Sequence, residues 1–545
     1  MKKDQSLFWA DQLAERIIER SRREKRAPNI KCQQTPSGGK HIGNLNEVAR
    51  SYFPYRSLIE KGVKADFVHT TDDRDPLKSV PKRLADLDGK WHDSAKLKDM
   101  SRYLGMPLCK IPDPFGCCSS WSEHFTKVWM DGVHALGMNP ILYSVNDLYK
   151  KGRFEPFIRM VFERQDMTGE IISKYQKTKS NDYIPFDAIC PKCGRLANIS
   201  SFDLKTKRVG FTCGGKEIKK RKSEGCGYSG EISWSQGKLQ WRFEWPALWG
   251  IFNTTYEPFG KDHAEGSWIS GQEIARRVFD IEPPIPFVYE FFLVNGEKMS
   301  ASVGNTYIVQ DMLRIMEPEI FLYYYTKKPG KQRDLDLENI ILLIDDFERS
   351  ERVYFGKENE NNQREKANIF RQYVMSRKDI PKAMPKRIPY QFASVISQVI
   401  SGKDYMKQAI NILQSTGHLG KKPTKPELDA VRSRLELAGN WIKSYAAPHH
   451  KITVQDKPGP GTIKSLSRNQ RAALRELGKR LAGKPLKEQE LYNTFWDIAK
   501  SNNITAPEFF KSAYSVLIDR DQGPRLAPFI LALGQKRVAG ILEKI

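Results

Sequence analysis

The sequence lacks any apolar run of the length that a membrane-spanning helix needs, which argues against an integral helical membrane protein. The N-terminus also lacks the apolar core and small-residue cleavage site of a secretory signal. Residues 1–20 instead place Trp9, Leu13 and Ile17 on one face of an amphipathic helix. No internal repeat and no long low-complexity segment is present. We therefore expect a cytoplasmic protein built from ordinary globular units.

Acidic residues are scarce relative to basic ones: 65 Asp and Glu stand against 89 Lys and Arg, a formal net charge of +24. Such an excess favours a polyanionic partner because binding releases counterions. A solvated basic surface, or a host whose proteins are generally basic, would give the same charge. The 545 residues exceed one ordinary domain, and 39% apolar residues suffice for real cores, so three or more units are expected.

Cysteine is also sparse, with eight residues, but six of the eight fall into two clusters. In a cytoplasmic enzyme, clustered cysteines indicate a metal rather than disulfides. The first cluster predicts a Cys₄ zinc site within an inserted module at residues 185–238, where helical periodicity is weak. Buried free cysteines are the alternative there, and chance cysteines with a surface histidine are the alternative for the second cluster. The clusters are Cys190, Cys193, Cys213 and Cys226, and Asp113, Cys117, Cys118 and His124.

The order of predicted elements indicates a parallel sheet. A strand at residues 29–34, a helix at residues 42–61 and a strand at residues 65–70 form a βαβ unit. Ligands of such sheets bind at the carboxyl ends of the strands. Residues 239–310 are predicted to form strands and loops, and helical patterns dominate from about residue 310 onward. We expect a Rossmann-type α/β domain at residues 1–310, a helical connecting region at residues 311–378, and an all-α domain at residues 379–545.

The segment TPSGGKHIGN, residues 35–44, lies between the first predicted strand and helix. Glycines allow close approach of the backbone to a ligand, and a helix N-terminus offers N–H groups to phosphate. The imidazole of His41 can stabilise charge on a phosphoryl group. An ordinary turn with a surface histidine is the alternative reading.

The segment KMSAS, residues 298–302, lies between Gly296 and Gly304. A mobile loop that carries one lysine, Lys298, can close over a triphosphate and neutralise the leaving pyrophosphate. A solvated lysine in a turn is the alternative.

Together the two segments resemble the HIGH and KMSKS signatures of class I aminoacyl-tRNA synthetases, in the same order, with Asn44 and Ala301 as departures. Neighbouring segments extend the resemblance to the archaeal-type class I lysyl-tRNA synthetases over roughly residues 6–360. These segments are TPSGGKHIGNLNEVAR, TTDDRDPLKSVP, WRFEWPALW, YEPFGKDH and DLDLENIILLIDDFERSERVYFG.

The resemblance implies ATP-dependent attachment of lysine to tRNA(Lys) through a lysyl-adenylate, with ATP, Mg²⁺ and one or two structural Zn²⁺ ions. The partners would be L-lysine, ATP and tRNA(Lys), and the enzyme would be a monomer. Residues 311–378 would contact the tRNA stem, and residues 379–545 would bind the anticodon. His41, Asn44 and Lys298 would be catalytic. The implied ATP-binding residues are Ser37, Gly38, His41, Gly43, Asn44, Lys298, Ser300 and Ser302.

The implied lysine-binding residues are Gln33, Thr35, Asp72, Trp245 and His263. Trp245 would offer an aromatic wall to the lysine side chain, and core packing is the alternative. Asp72 would hold the α-ammonium, and an N-cap is the alternative. Glutamyl enzymes carry an arginine at the position of Gln33, where a neutral amide cannot pair with a buried carboxylate. Lysyl enzymes usually carry glycine there, so Gln33 departs from both families.

Three other functions compete with lysine charging. A glutamyl-type synthetase would share several motifs, but Gln33 argues against it. A catalytically inactive tRNA-binding relative would be expected to have lost His41, Gly43 or Lys298, and all three are present. A nucleotidyltransferase of the same fold would not need the large basic helical region.

The second cysteine cluster also has a counterpart in the family that the chain resembles. At these positions archaeal lysyl enzymes have Asp, Cys, His and His, so Cys118 replaces the first histidine. Thiolate is also a good zinc ligand.

Overall fold

The computed structural model describes residues 8–176, 179–180, 182–218, 221–301 and 303–545. The chain forms two compact units. The first comprises Met1–Met312, Pro318–Leu335 and Ser350–Ile380, and the second comprises Leu313–Glu317, Asp336–Arg349 and Pro381–Ile545. Within the part of the chain that the structure describes, every helix is too short or too polar to span a lipid bilayer.

The predicted parallel sheet is confirmed, and its five strands form the centre of the first unit. The strand order is β5-β4-β1-β2-β3. All six residues of β1 are buried, which suits the middle strand of a sheet covered on both faces. The strands are β1 (Asn29–Gln34), β2 (Asp66–Thr71), β3 (Ile141–Ser144), β4 (Tyr256–Gly260) and β5 (Ile285–Tyr289).

Helices cover this sheet because their apolar residues recur at helical spacing. The helix Leu45–Glu60 follows β1 and buries Leu45, Val48, Ala49 and Tyr52 along one side. The α-helices from Trp9 to Met375 are Trp9–Glu24, Leu45–Glu60, Trp121–Ala135, Val145–Lys150, Glu155–Glu163, Gln165–Tyr175, Trp241–Phe252, Lys261–Ala264, Ser267–Arg277, Val309–Leu313, Pro318–Thr326, Ile341–Tyr354 and Gln363–Met375.

The tryptophan-rich segment Trp241–Phe252 is a helix, whereas strands and loops were predicted from residue 239 onward. Trp241, Trp245 and Trp249 recur every four residues and therefore share one helix face. The rings of Trp241 and Trp245 stack with centroids 5.5 Å apart, and those of Trp245 and Trp249 meet edge to face at 5.2 Å. Aromatic residues are also common in strands, so composition alone misled the prediction.

The inserted module is an antiparallel sheet with short loops. Its strand order is Ser229–Ser233, Arg208–Thr212, Leu196–Asp203, Phe186–Ile189 and Gly237–Leu239. Lys238, on the last strand, is buried and pairs with Asp75 at 2.5 Å and with Glu244 at 3.1 Å, which ties the module to the central sheet. The remaining strands are Arg83–Ala85 with Trp91–Asp93, Lys216–Ile218 with Arg221–Ser223, and Phe292–Val294 with Glu297–Lys298 and Arg333–Leu335.

The second unit is helical from Tyr390 onward, as predicted. Trp441 and Tyr390 lie in its core, and the buried guanidinium of Arg434 pairs with Glu317 at 2.6 Å and with Glu348. Its helices in this range are Tyr390–Val399, Tyr405–Ser415, Lys425–Ser444, Pro460–Ser465, Arg468–Ala482, Glu488–Ser501, Ala506–Ile518, Leu526–Leu533 and Gln535–Leu542.

Short 3₁₀ helices occur in both units. Those of the first unit are Ser94–Lys96, Ser101–Tyr103, Leu108–Lys110 and Trp234–Gln236, and that of the second is Pro448–His450.

Candidate active site

The first motif forms the loop that joins β1 to the helix Leu45–Glu60. Ile42 donates its backbone N–H to the carbonyl of Tyr307 at 2.8 Å. The carbonyl of Ile42 accepts from the hydroxyl of Tyr325 at 2.7 Å. Both partners lie downstream of the second motif in the sequence, so the tertiary fold holds the start of this helix beside that region.

The two motif loops touch at Gly43. A Cβ atom at Gly43 would lie 3.3 Å from the terminal carbon of Met299 and 2.9 Å from the ring of His41. On the other side of the second loop, Lys82 donates its backbone N–H to Ala301 at 3.4 Å. A side chain at Gly43 would therefore push the two loops apart. Ser302 lies outside the described residues.

His41 has a buried ring nitrogen, Nδ1, with no hydrogen-bond partner among the described residues. Burial, together with the nearby positive charges of Lys40 and Lys298, lowers the pKa of His41 to about 4. The imidazole is therefore neutral at neutral pH. An unpaired buried polar atom is unfavourable, and a ligand that pairs with it would relieve this penalty.

Lys298 is exposed and lies at the end of the short strand Glu297–Lys298. Its ammonium group sits 3.7 Å from the ring centroid of Phe291, so the side chain rests on an aromatic surface without being buried. Ser300 donates its backbone N–H to the side chain of Asn305 at 2.8 Å, which closes the turn. Asn44 caps the helix Leu45–Glu60 by position but makes no side-chain capping bond, so its amide does not serve the helix end. Ser37 and Gly38 lie in the first loop, where Gly38 has φ +146°.

Two buried aspartates follow β2 and have different partners. Asp73 accepts from the hydroxyl of Ser144 at 2.5 Å and from the N–H of Asn146 at 2.8 Å, so it holds the start of the helix Val145–Lys150. Asp72 accepts from the hydroxyl of Thr35 at 3.4 Å, while its second oxygen, Oδ1, has no partner among the described residues. Burial and the charges of Asp75 and Glu244 raise the pKa of Asp72. The helix-capping alternative therefore applies to Asp73, and Asp72 keeps an oxygen available.

Gln33 contacts a lysine of the protein itself. The ammonium group of Lys31 donates to Oε1 of Gln33 at 2.6 Å and pairs with Glu257 at 2.8 Å. Glu257 also accepts from the indole N–H groups of Trp245 at 3.2 Å and Trp249 at 2.6 Å. The side-chain oxygen of Gln33, one of the implied lysine-binding residues, is thus already engaged by Lys31.

Trp245 and His263 are neighbours, with ring centroids 5.7 Å apart. Trp245 is buried and packs in a cluster with Trp249, Phe259 and Trp268, so core packing accounts for much of its surface. His263 remains partly exposed on the short helix Lys261–Ala264 that follows β4. The pair lies at the same carboxyl edge of the sheet as the two motif loops.

Glu47 was not singled out from the sequence, although it lies within the helix that follows the first motif. Its carboxyl group accepts from the N–H of Gln33 at 2.8 Å and from the hydroxyl of Tyr289, at the end of β5, at 3.3 Å. Burial raises the pKa of Glu47 to about 8. A sequence signal existed, because Glu47 stands three positions after Asn44, but only the fold shows that it faces the edge of the sheet.

The four cysteines of the inserted module meet. The sulfurs of Cys190 and Cys226 are 3.7 Å apart, and those of Cys193 and Cys213 are 3.6 Å apart; all four ligand atoms lie within 4.8 Å of one another. Thiolates around a tetrahedral zinc, with Zn–S bonds of about 2.3 Å, are separated by about 3.8 Å. The donor set and its spacing therefore fit a zinc ion.

The second cluster also converges. Sγ of Cys117 is 3.2 Å from both Asp113 and Nδ1 of His124, and 3.9 Å from Sγ of Cys118. The opposite ring nitrogen of His124, Nε2, lies 2.9 Å from the carbonyl of Ala85. A carbonyl partner of this kind orients metal-binding histidines and directs the other nitrogen toward the ion. These four residues therefore also fit a metal.

The fold and the site define a class I tRNA synthetase catalytic core, with two motif loops in contact at the carboxyl edge of a parallel sheet. Residues 7–376 match the family described as "tRNA synthetases class I (K)", and the chain belongs to this family.

Relatives from archaea match nearly the whole chain. A "Lysine--tRNA ligase" of Natronomonas pharaonis is 35% identical over 98% of this chain and 97% of its own length. That of Haloarcula marismortui is 37% identical over 97% and 96%, and that of Pyrococcus horikoshii is 32% identical over 98% and 98%. Among solved structures, a glutamate tRNA ligase from Elizabethkingia meningosepticum covers 95% of this chain and 99% of its own at 11% identity and a TM-score of 0.37.

Proposed function

We propose that this protein attaches lysine to tRNA(Lys) in an ATP-dependent reaction that passes through a lysyl-adenylate. The observation that carries the proposal is the contact between the two motif loops at Gly43, beside the unpaired nitrogen of His41. The names of the relatives agree with this reaction, and they extend over both units of the chain.

ATP would bind at the N-terminus of the helix Leu45–Glu60, where the positive end of the helix dipole favours phosphate. Gly38 and Gly43 let the backbone approach, and Ser37, Ser300 and Ser302 would add hydroxyl donors. His41, Asn44 and Lys298 would stabilise charge as the lysine carboxylate attacks the α-phosphate and pyrophosphate leaves. Magnesium, when bound with ATP, would supply further neutralisation of phosphate charge.

The lysine pocket would lie at the carboxyl ends of β1, β2, β4 and β5. The free oxygen of Asp72, held by Thr35, would accept from the α-ammonium. Trp245 and His263 would cover the methylene groups, and the carboxyl group of Glu47 would accept from the ε-ammonium. Gln33 would shape the pocket through Lys31 rather than touch the substrate amine. A glutamate substrate would bury a carboxylate in this pocket, and the nearby ammonium group of Lys31 is already engaged by Glu257 and Gln33, which disfavours the glutamyl alternative.

Zinc would occupy both clusters, on the strength of the donor sets and spacings given above. Zinc in the first cluster would crosslink the inserted module, and zinc in the second would crosslink the loop before the helix Trp121–Ala135. Each cluster offers four protein ligands, whereas catalytic zinc usually has three and keeps one position open, so both clusters are assigned structural roles.

We further propose that the enzyme acts as a monomer with three functional regions. Residues 1–310 would carry the chemistry, residues 311–378 would contact the tRNA stem, and residues 379–545 would bind the anticodon. The net charge of +24 favours such a polyanionic partner.

Aminoacylation of total tRNA, with ATP, Mg²⁺ and each amino acid offered separately, tests the proposal. Lysine alone should be charged, and Lys298→Ala should lower kcat about 100-fold, the usual loss when one charge-stabilising contact is removed. Lys64→Ala, an exposed lysine before β2, is the control and should be unaffected. Charging of glutamate, or of nothing while tRNA still binds, would contradict the proposal.

A further inference from the structure

Two exposed aromatic residues stand out on the helix Glu488–Ser501. Tyr492 is 47% exposed and Trp496 is 50% exposed, whereas most tryptophans of the chain are buried. The two side chains are one helical turn apart, and their ring centroids are 6.3 Å apart. Phe495, on the same helix, is buried and packs against Phe509 with ring centroids 5.7 Å apart, which fixes the helix to the core of the unit. Large exposed aromatic residues on a rigid helix indicate a binding surface.

Two cavities adjoin this helix. One, of about 600 Å³, is lined by Tyr492, Phe510 and Tyr514. The other, of about 220 Å³, is lined by Phe392 and His418. Glu488, Arg525 and Pro528 line both cavities, so one carboxylate and one guanidinium stand at their common wall. The surface formed by this helix and the two cavities therefore combines aromatic rings with a hydrogen-bond acceptor, the carboxylate of Glu488, and hydrogen-bond donors, the guanidinium of Arg525.

The charge around this surface suits RNA. Residues 381–545 hold 28 lysines and arginines against 13 aspartates and glutamates. Lys484 and Lys487 are exposed and precede Glu488 closely in the sequence. Arg525 is also exposed and lines the larger cavity. Proteins recognise unpaired RNA bases by stacking them on aromatic rings and by hydrogen bonds to the base edges, while basic residues follow the backbone.

We propose that Tyr492 and Trp496 form the stacking platform for the anticodon loop of the tRNA, and that the two cavities receive neighbouring unpaired bases. The identity of this loop rests on the proposed function. Lysine codons require uridines at the second and third anticodon positions, and the uracil edge presents one N–H between two carbonyl oxygens. Glu488 accepts from that N–H, and Arg525 donates to a carbonyl oxygen.

Binding of an RNA hairpin with a UUU anticodon loop to the full-length protein, followed by fluorescence anisotropy, tests the inference. Tyr492→Ala and Trp496→Ala should each weaken binding about tenfold, and Trp496→Phe should retain most of it. Leu342→Ala removes an even more exposed apolar side chain, 71% exposed, from another helix and should change nothing. Arg525→Gln and Glu488→Gln should reduce the preference for this hairpin over one with cytidines at the last two anticodon positions.

Unchanged hairpin binding in Tyr492→Ala and Trp496→Ala would overturn the inference even if lysine charging were intact. Loss of hairpin binding in these variants would support the surface even if the wild type charged no lysine, an outcome that contradicts only the proposed function. A wild type that sediments as a dimer and a Trp496→Ala variant that sediments as a monomer, with equal hairpin binding, would assign the surface to a second copy and also overturn the inference.

Discussion

The ammonium group of Lys31 is fully buried and depends on Glu257 and Gln33 for its hydrogen bonds. Lys31→Met leaves the carboxylate of Glu257 with only its two indole donors, and we expect a loss of about 3–5 kcal/mol of stability. Gln33→Gly removes one acceptor but keeps the ion pair, so about 1 kcal/mol is expected. Urea denaturation followed by tryptophan fluorescence measures both losses.

Lys64→Met serves as the control for the Lys31 variant, because Lys64 is exposed and its replacement should change stability by no more than about 0.5 kcal/mol. A Lys31→Met protein as stable as the control would show that the buried pair contributes nothing beyond its apolar volume.

Glu47 gives a pH-dependent prediction. Its pKa is raised from an ordinary value of 4.5 to about 8, so the fold favours the neutral carboxyl group. The folded protein then binds a proton that the unfolded chain has lost between these two values, and stability falls as pH rises through this window. The Tm of Glu47→Gln should exceed that of the wild type by an amount that grows from pH 5 to about pH 8.

The lowered pKa of His41 does not depend on Glu47 and cancels in this difference, whereas the pKa of Lys40, which Glu47 raises, contributes mainly near and above pH 8. A difference in Tm that is constant from pH 5 to pH 8.5 would contradict a raised pKa at Glu47. Saturating lysine should flatten the wild-type curve if its ε-ammonium pairs with the ionised carboxylate.

At the scale of elements, the cysteine spacing shows what the fold adds. Thirteen positions separate Cys213 from Cys226, too many for a tight zinc knuckle. The strands Lys216–Ile218 and Arg221–Ser223 pair as an antiparallel hairpin between them. The hairpin returns the chain, and Cys226 comes within 3.7 Å of Cys190. The four cysteines could therefore be identified from the sequence as candidate metal ligands, but the geometry of the second pair could not.

The two metal clusters should load independently, because they share no residue and lie on separate elements. We expect two zinc ions per wild-type chain by plasma emission spectroscopy, and one each in Cys213→Ser and Cys118→Ser. Cys109→Ser, which alters a cysteine outside both clusters, should retain two. Cys213→Ser should also expose the inserted module to proteolysis, since small modules of this kind depend on the metal for stability. Two ions retained in either cluster variant would refute the assignment of that cluster.

For the whole molecule, the charge of +24 predicts salt-sensitive binding of tRNA. Each phosphate contact releases counterions, so affinity falls steeply with ionic strength. Between about 50 and 200 mM salt, the Kd for tRNA should rise at least about tenfold. The KM for lysine should change little, because its proposed pocket is largely buried and the interactions there are poorly screened.

Filter binding and steady-state charging over the same salt series measure the two quantities. A Kd for tRNA that is independent of salt would mean that the basic surface is merely solvated, which is the alternative that composition alone left open.

The sequence by itself determined the class of the fold, the two signature segments and the members of the two cysteine clusters, because these depend on local spacing and residue type. β1 and the helical region from Tyr390 followed from periodicity alone. The tertiary structure decided the rest. Whether Gln33 meets a substrate or Lys31, and whether Glu47 faces the site, depends on contacts between residues distant in sequence, and pKa values follow burial that no local pattern records.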